Sequence, residues 1–454
     1  MCYSLVAITL GGLVLKVGMI TLGCAKNTVD TEIMLANLKA HGYEFTDNPE
    51  EAHILVINTC GFIQAAKEES IDTILEMAVW KEQGVCRLLI VTGCLSQRYG
   101  EEILAEMPEV DAVLGTGQLD KLVHVIEEAL DGRRVCAISQ PAFDYDNSIG
   151  RLRVTPRYSA YLKIAEGCDH RCAYCAIPLI RGNYRSRSQE SIVREVENLA
   201  REGVLEINII AQDVTRYGLD RYGRYALPEL LRKILQIEGP AWLRLLYAYP
   251  TNFTPELIEL MANESRLLEY VDLPLQHISP RILKAMRRPD NPEQIRRLLY
   301  ALREAMPQIT LRTTFIVGFP GETEQDVELL AEFMREIQFD HVGVFTYSRE
   351  EGTAAAAMPD QIPPAISQER RDYLMSIQAP ISLARNERYV GQTIEVLVEE
   401  DWPDGQGVIG RGRKDAPEVD GLVYVRDSQA RPGQIILAEI EQALDYDLVG
   451  VARA

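Results

Sequence analysis

The sequence predicts an α/β protein in three parts: an N-terminal doubly wound parallel-sheet domain, a central incomplete (β/α) barrel and a small C-terminal all-β barrel. Short apolar runs alternate with amphipathic helical stretches, first from Val17 to Leu130 and again from Thr155 to Thr346. A polar, turn-rich stretch around Gln140 to Gly150 separates the two series. From about Val390 the helical pattern gives way to short strands and Gly-rich turns. The chain thus divides into a leader at 1–16, an N-terminal domain at 17–132, a linker at 133–154, the central barrel at 155–387 and the C-terminal barrel at 388–454.

The leader is apolar from Leu5 to Leu15, with no basic residue before it and Lys16 after it. That run is too short to cross a bilayer, and no longer one occurs elsewhere, so no membrane span is expected. In the N-terminal domain, strands are expected at 18–22, 52–58, 87–91 and 111–115. Helices are expected at 31–41, at 65–80, from 97 and at 118–130. The first three strands each end in a cysteine: Cys24, Cys60 and Cys94. Right-handed crossovers bring strand C-termini to one edge of a parallel sheet, so the three thiols can meet as one ligand set. The alternative is three separate buried thiols. Cys2, Cys86 and Cys136 lack that placement and read as ordinary thiols.

In the central part, strands are expected at 161–165, 206–211, 243–247, 270–273, 310–317 and 341–346, with a helix at 188–202. Six β/α units fall short of a closed barrel, and chemistry is expected where the strands end. Cys168, Cys172 and Cys175 lie there in the spacing CxxxCxxC, within Gly167-Cys168-Asp169-His170-Arg171-Cys172-Ala173-Tyr174-Cys175-Ala176-Ile177-Pro178. Structural zinc wants four ligands, usually as two CxxC pairs, and no fourth Cys or ligand pair follows nearby, although His170 lies inside the loop. Three thiolates on a four-iron cluster leave one iron open to a substrate. A zinc knuckle or a chance cluster is the alternative.

Other candidate residues follow the strands: Gln212 and Asp213, His277, the turn Gly318-Phe319-Pro320-Gly321-Glu322-Thr323, and Tyr347. Gln212, Gly318, Gly321 and Glu322 are the candidate cofactor contacts: glycine lets a ligand approach the backbone closely, and although each taken singly reads as a turn or a core polar group, they share one barrel rim. A long helix is expected at 370–389, then C-terminal strands at 393–398, 421–425, 434–438 and 445–452.

The formal net charge is -20. It disfavours a large electrostatic hold on nucleic acid and favours a basic partner. The C-terminal part carries 7 Lys and Arg against 13 Asp and Glu, the wrong sign for a nucleic-acid reader. Nine cysteines in 454 residues do not form a disulfide scaffold; they fit the reducing cytoplasm and metal ligation.

The cysteine loop resembles that of the radical S-adenosylmethionine (SAM) enzymes. From about residue 17 the whole chain resembles the methylthiotransferase family, through Leu22-Gly23-Cys24-Ala25-Lys26-Asn27, Ile57-Asn58-Thr59-Cys60, Thr92-Gly93-Cys94 and the 167–178 loop. That family joins a three-cysteine domain, a radical SAM barrel and a TRAM β-barrel. One branch modifies an adenosine in transfer RNA. The other methylthiolates the β-carbon of an aspartate in a basic small-subunit ribosomal protein. The chain is similar to the second branch in the runs 168–172, 212–218 and 415–421. Where many radical SAM enzymes have Gly-Gly-Glu, this chain has Ala211-Gln212-Asp213, as in this family.

The resemblance implies that Cys168, Cys172 and Cys175 bind a catalytic [4Fe–4S] cluster whose open iron holds SAM. It implies a second [4Fe–4S] cluster on Cys24, Cys60 and Cys94 that carries sulfur toward the substrate, and a low-potential electron donor. The SAM-derived radical would remove a hydrogen from a carbon too inert for acid–base chemistry. Direct nucleic-acid binding is expected to be absent or secondary. The competing expectations are the transfer-RNA enzyme and, further off, a non-catalytic iron–sulfur electron carrier.

Overall fold

A computed structural model describes residues 9–10, 13–141, 150–403 and 405–453. Cys2, most of the leader and the linker stretch 142–149 lie outside the described residues.

The N-terminal domain is one parallel sheet of six strands. They are β1 (Lys16–Thr21), β2 (Glu44–Phe45), β3 (Ile54–Thr59), β4 (Leu88–Gly93), β5 (Ala112–Leu114) and β6 (Val135–Ala137), ordered β2-β1-β3-β4-β5-β6. Every residue of β3 and β4 is buried, as their unbroken apolar runs require in the middle of a sheet covered on both faces. Helices α1 (Ala25–Ala40) and α4 (Leu122–Leu130) cover one face, where Val29, Ile33 and Leu38 meet Val17, Val56 and Ile90. Helices α2 (Gln64–Ala78) and α3 (Cys94–Glu106) cover the other, where Ile74 and Ile103 meet Leu55, Ile57 and Leu89.

Two readings change. The front of the 133–154 stretch is not linker: β6 lies in it and adds a sixth strand to the sheet edge. Helices α1 and α3 begin at the cysteines rather than at 31 and 97. The first two turns of α1 bury Lys26, Asn27, Asp30, Thr31 and Glu32, so no apolar stripe marks the helix there.

The central sheet holds β7 (Ser159–Lys163), β8 (Glu206–Ile210), β9 (Trp242–Leu245), β10 (Leu267–Gln276), β11 (Thr310–Val317) and β12 (His341–Thr346). These six parallel strands lie in sequence order, with β7 and β12 as the edges of an open barrel. Helices α5 (Gln189–Arg201), α6 (Leu227–Leu235), α7 (Pro255–Asn263), α8 (Pro292–Ala305), α9 (Glu324–Ile337) and α10 (Pro364–Glu387) complete the domain. Ser188 caps α5 by accepting from Ser191 N. Alternate strand residues separate the two faces. Ile207, Ile209, Leu243, Leu245, Val271, Leu273 and Phe315 enter the aliphatic core, whereas Glu206, Arg244, Asp272 and Arg312 join a charged set on the concave side.

The last domain is a closed barrel of β13 (Thr393–Asp401), β14 (Gly407–Gly412), β15 (Val423–Arg426), β16 (Ile435–Ala443) and β17 (Leu448–Arg453), ordered β13-β14-β15-β17-β16. Its glycine-rich β14 escaped the alternation rule. The barrel docks on the concave side through charge. Arg411 donates to both Glu206 oxygens, at 2.7 and 3.1 Å, and Arg244 to one at 3.2 Å. Asp420 accepts from Arg312 at 3.1 Å and from the Tyr270 hydroxyl at 2.6 Å. Beyond β12, Glu350 clasps the N-terminal domain, meeting Arg98 at 2.7 Å and Lys67 at 3.0 Å.

Candidate functional site

The CxxxCxxC loop leaves β7 and returns through a short helix, Ile177–Arg181. Gly167 has φ +81°, and a β-carbon there would sit 2.1 Å from Asn183 O. Only glycine fits, because Cys168 N donates to Gly182 O at 3.0 Å and draws the chain back on itself. Farther along, Ala173 N donates to Met286 O and Ala355 N to Ala173 O, both at 2.8 Å. Ala173 is buried against Ile282, Met286, Phe319 and Ala355. Gly167→Ala should displace the loop and cut iron loading of the reconstituted protein, read as iron per chain, with the rest of the fold intact by circular dichroism.

His170 Nε2 lies 2.7 Å from Asp213 Oδ2, and its ring stacks on Tyr249 at 3.8 Å and 9°. The other Asp213 oxygen accepts from Thr215 N and Arg216 N, and Asn252 donates to Oδ2 at 2.9 Å. These contacts fix the middle of the cysteine loop. Burial pushes the Cys168 thiol up to about 11 and Cys175 higher still, with the charge of Cys172 adding to both. Arg288, almost wholly buried, lies within reach of Cys172. Its Nε donates to Asp290 at 2.7 Å, while its Nη2 is buried with no hydrogen-bond partner.

The second set gathers at the C-terminal edge of the N-terminal sheet. Cys24 precedes α1, Cys60 follows β3 and Cys94 opens α3. A β-carbon on Gly23 would stand 3.3 Å from Cys60 Sγ. Burial, then the charges of Cys94 and Cys24, push Cys60 up to about 12. Asn27 ties the edge together by donating to Leu22 O at 2.8 Å and Thr59 O at 3.0 Å. The free N–H groups at the starts of α1 and α3 lie at these cysteines and favour an anion there.

All the described cysteines are free thiols, and among the described residues no three His, Cys, Asp or Glu side chains converge tightly enough for one metal ion. In a four-iron cluster each thiolate binds a different iron, so the sulfurs stand farther apart. The residues fit such a group at both places. Each offers three thiols, and a net-negative centre would complete Arg288 at one and the helix N-termini at the other.

The N-terminal set meets the CxxxCxxC segment at Cys94. Cys94 packs with Ala176 and Ile180 from the CxxxCxxC loop and its helix, and Thr116 Oγ1 donates to Ile180 O at 2.8 Å. Lys26 Nζ lies 2.8 Å from the Tyr247 ring centroid, and burial lowers it to about 8. Gln212 Nε2 donates to Glu166 Oε1 at 2.7 Å, leaving Gln212 Oε1 buried without a partner.

Of the remaining candidates, Gly318, Gly321 and Glu322 sit in the turn after β11 and His277 follows β10. Glu322 is buried: it accepts from Gly318 N at 2.7 Å and Arg370 at 2.7 Å, and its Oε1 lies 3.3 Å from His277 Nε2. His277 Nδ1 accepts from Ile278 N and Ser279 N, so the ring proton is on Nε2. Gly318 packs on α10, where a β-carbon would meet Ser367 Oγ at 2.0 Å. At Gly321 only the Arg281 tip comes near, at 3.9 Å. Cys86 is buried and donates to Leu88 O at 3.3 Å, and Cys136 is exposed. Sequence reasoning missed Lys26, Glu166, Arg181, Tyr247 and Arg288. Charged residues read as solvent-facing unless partners brought by other domains are known.

Residues 16–115 match the Uncharacterized protein family UPF0004, residues 162–334 the Radical SAM superfamily and residues 390–452 the TRAM domain. Among curated proteins, the ribosomal protein uS12 methylthiotransferase RimO of Desulfitobacterium hafniense (strain Y51) is 50% identical over 96% of this chain and 98% of its own. That of Desulforamulus reducens is 51% identical over 96% and 99%, and that of Geobacter sulfurreducens 49% over 96% and 98%. Among solved structures, the radical S-adenosylmethionine methyltransferase TsrM from Kitasatospora setae, with cobalamin and a [4Fe-4S] cluster bound, aligns with TM-score 0.55. It shares 16% identity and covers 75% of this chain and 76% of its own. The cobalamin-dependent radical enzyme OxsB aligns with TM-score 0.51 at 13% identity, over 81% of this chain and 56% of its own. At that identity the likeness is one of fold.

Proposed function

The chain belongs to the family of RimO, the ribosomal protein uS12 methylthiotransferases, and on that premise we propose how its residues share the work. It is a radical SAM methylthiotransferase acting on ribosomal protein uS12, with SAM and an iron–sulfur cluster as its cofactors. The proposal adds a second cluster, a target atom and residue roles. The target is an aspartate β-carbon.

Cys168, Cys172 and Cys175 hold the catalytic [4Fe–4S] cluster, and Cys24, Cys60 and Cys94 hold the second. Bound there, SAM and the clusters supply a 5′-deoxyadenosyl radical, a methyl group and sulfur. The protein supplies position and shielding. His170, Asp213 and Tyr249 fix the catalytic loop. Arg288 balances the anionic centre. Gln212 presents its free Oε1 as an acceptor for the SAM amino group. The Gly318 and Gly321 turn shapes the wall of the SAM site, and Glu322 holds that turn from behind. The single observation that carries the reading is the pair of three-cysteine sets on two sheet edges, packed together at Cys94 and Ile180.

Charge supports a basic protein as the partner. Arg411 and Lys414 of the C-terminal part are buried, and so are the side chains of its Asp415 and Asp420, so its outer surface keeps the acidic excess of its count. Direct nucleic-acid binding is secondary. A low-potential donor supplies electrons, and the free thiols suit the cytoplasm, where ribosomes are. Among the described residues no helix is long and apolar enough to cross a membrane.

The test is anaerobic reconstitution with iron and sulfide, then SAM, reductant and either a uS12 peptide or a matched transfer RNA, followed by mass spectrometry. A methylthio gain on the peptide aspartate is the expected result. A gain on the RNA alone overturns the substrate, and intact SAM in every arm overturns the radical chemistry.

A further inference from the structure

Arg181 is 2% exposed and ends the short helix that follows Cys175. Its Nη2 donates to Asn27 Oδ1 at 2.6 Å and to Cys94 Sγ at 3.5 Å. Its Nη1 donates to Asp30 at 2.7 Å and to Glu166 Oε2 at 3.1 Å. Lys163 Nζ meets the same two carboxylates, at 2.5 and 2.7 Å. Two cations therefore balance two carboxylates in a buried space, and the contact with Cys94 comes on top of that balance. Glu166 in turn holds Gln212. One chain of hydrogen bonds thus runs from a thiol of the N-terminal set, through the helix behind the other set, to Gln212.

Two simpler roles fit less well. A mere tie between domains would not aim a guanidinium at a sulfur already packed against Ala176 and Ile180. A partner for Asp30 alone would leave the same Nη2 no reason to meet both Asn27 and Cys94. Hydrogen bonds and positive charge at a ligand sulfur favour the reduced, more negative state of an iron–sulfur centre and so raise its potential.

We propose that Arg181 is a positioning residue for the N-terminal centre: it fixes Cys94 Sγ from the catalytic loop's own helix and holds that centre's reduction potential up. The inference rests on the reading that Cys24, Cys60 and Cys94 hold a cluster.

The experiment uses the full chain carrying Cys168→Ala, Cys172→Ala and Cys175→Ala, so that only the N-terminal set can load. Redox titration followed by electron paramagnetic resonance compares Arg181 with Arg181→Lys and with the charge-balanced pair Arg181→Gln and Asp30→Asn. At unchanged iron content the potential should fall in the Gln/Asn pair and fall less in Arg181→Lys, which keeps the charge but loses the planar fork. An unchanged potential in the loaded Gln/Asn pair overturns the inference. If that pair does not load, Arg181→Lys decides: a lower potential supports the role and an unchanged one overturns it. If the Arg181 parent binds no iron, the second cluster falls and the inference with it.

Discussion

Cys168→Ala should abolish SAM cleavage and methylthiolation together, whereas Cys24→Ala should abolish methylthiolation and leave SAM cleavage. Both losses should exceed about 100-fold, because disturbing only the partners of a ligand already costs about 10–100-fold. The split follows from where the cysteines sit. Cys168 belongs to the loop braced by His170, Asp213 and Tyr249. Cys24 lies on the other sheet edge, held by Asn27 and the start of α1. Chromatography of 5′-deoxyadenosine and mass spectrometry of the peptide read the two steps separately. Equal loss of both products in Cys24→Ala would mean that the two sets do not act as separate centres.

The second large effect is expected at Glu206. Replacement by Ala leaves Arg244 without a carboxylate and Arg411 with Glu399 alone, both guanidiniums being fully buried. Removing one partner of a buried pair costs about 3–5 kcal/mol. The loss should fall on docking of the C-terminal barrel, seen as proteolytic release of that domain at temperatures where the parent resists. Burial raises the Glu206 carboxyl, and Arg411 with Arg244 more than offsets this, leaving it at about 2. A carboxyl depressed in the folded state contributes fully above the ordinary range near 4.5. Its contribution fades as pH falls from there to about 2, so acid should undock the barrel in that window. Glu206→Ala should flatten that part of the pH profile. A profile identical to the parent's would assign the acid sensitivity to other carboxylates.

Much of this molecule was legible because apolar strands advertise themselves. The runs Ile54-Leu55-Val56-Ile57 and Leu88-Leu89-Ile90-Val91 name central strands of a covered sheet, and the cysteine after each marks an edge where loops gather. Strands β8 and β9 were visible too, but not what Glu206 and Arg244 face. That depends on Arg411, far away in the chain and brought there by a separate domain. The same reason hid Arg181, Lys163 and Asp30, whose charges are buried only because two domains close over them. Strand β6 is three residues long at a sheet edge, and β14 is half glycine, so neither carries a pattern that periodicity can detect. At the turn after β11, glycine suggested ligand approach. The structure gives Gly318 a packing reason through Ser367, and gives Glu322 a bracing one through Arg370 and His277.

Two four-iron centres on the two cysteine sets of one chain form the arrangement on which methylthiolation depends. Iron and sulfide analysis with Mössbauer spectroscopy on the anaerobically reconstituted protein tests it most directly. About eight irons per chain are expected in the parent, and about four when either set of three cysteines is replaced by Ala, with the [4Fe–4S] signature kept in each. About four irons in the parent, all lost when Cys168, Cys172 and Cys175 are replaced and unaffected when Cys24, Cys60 and Cys94 are, would contradict it.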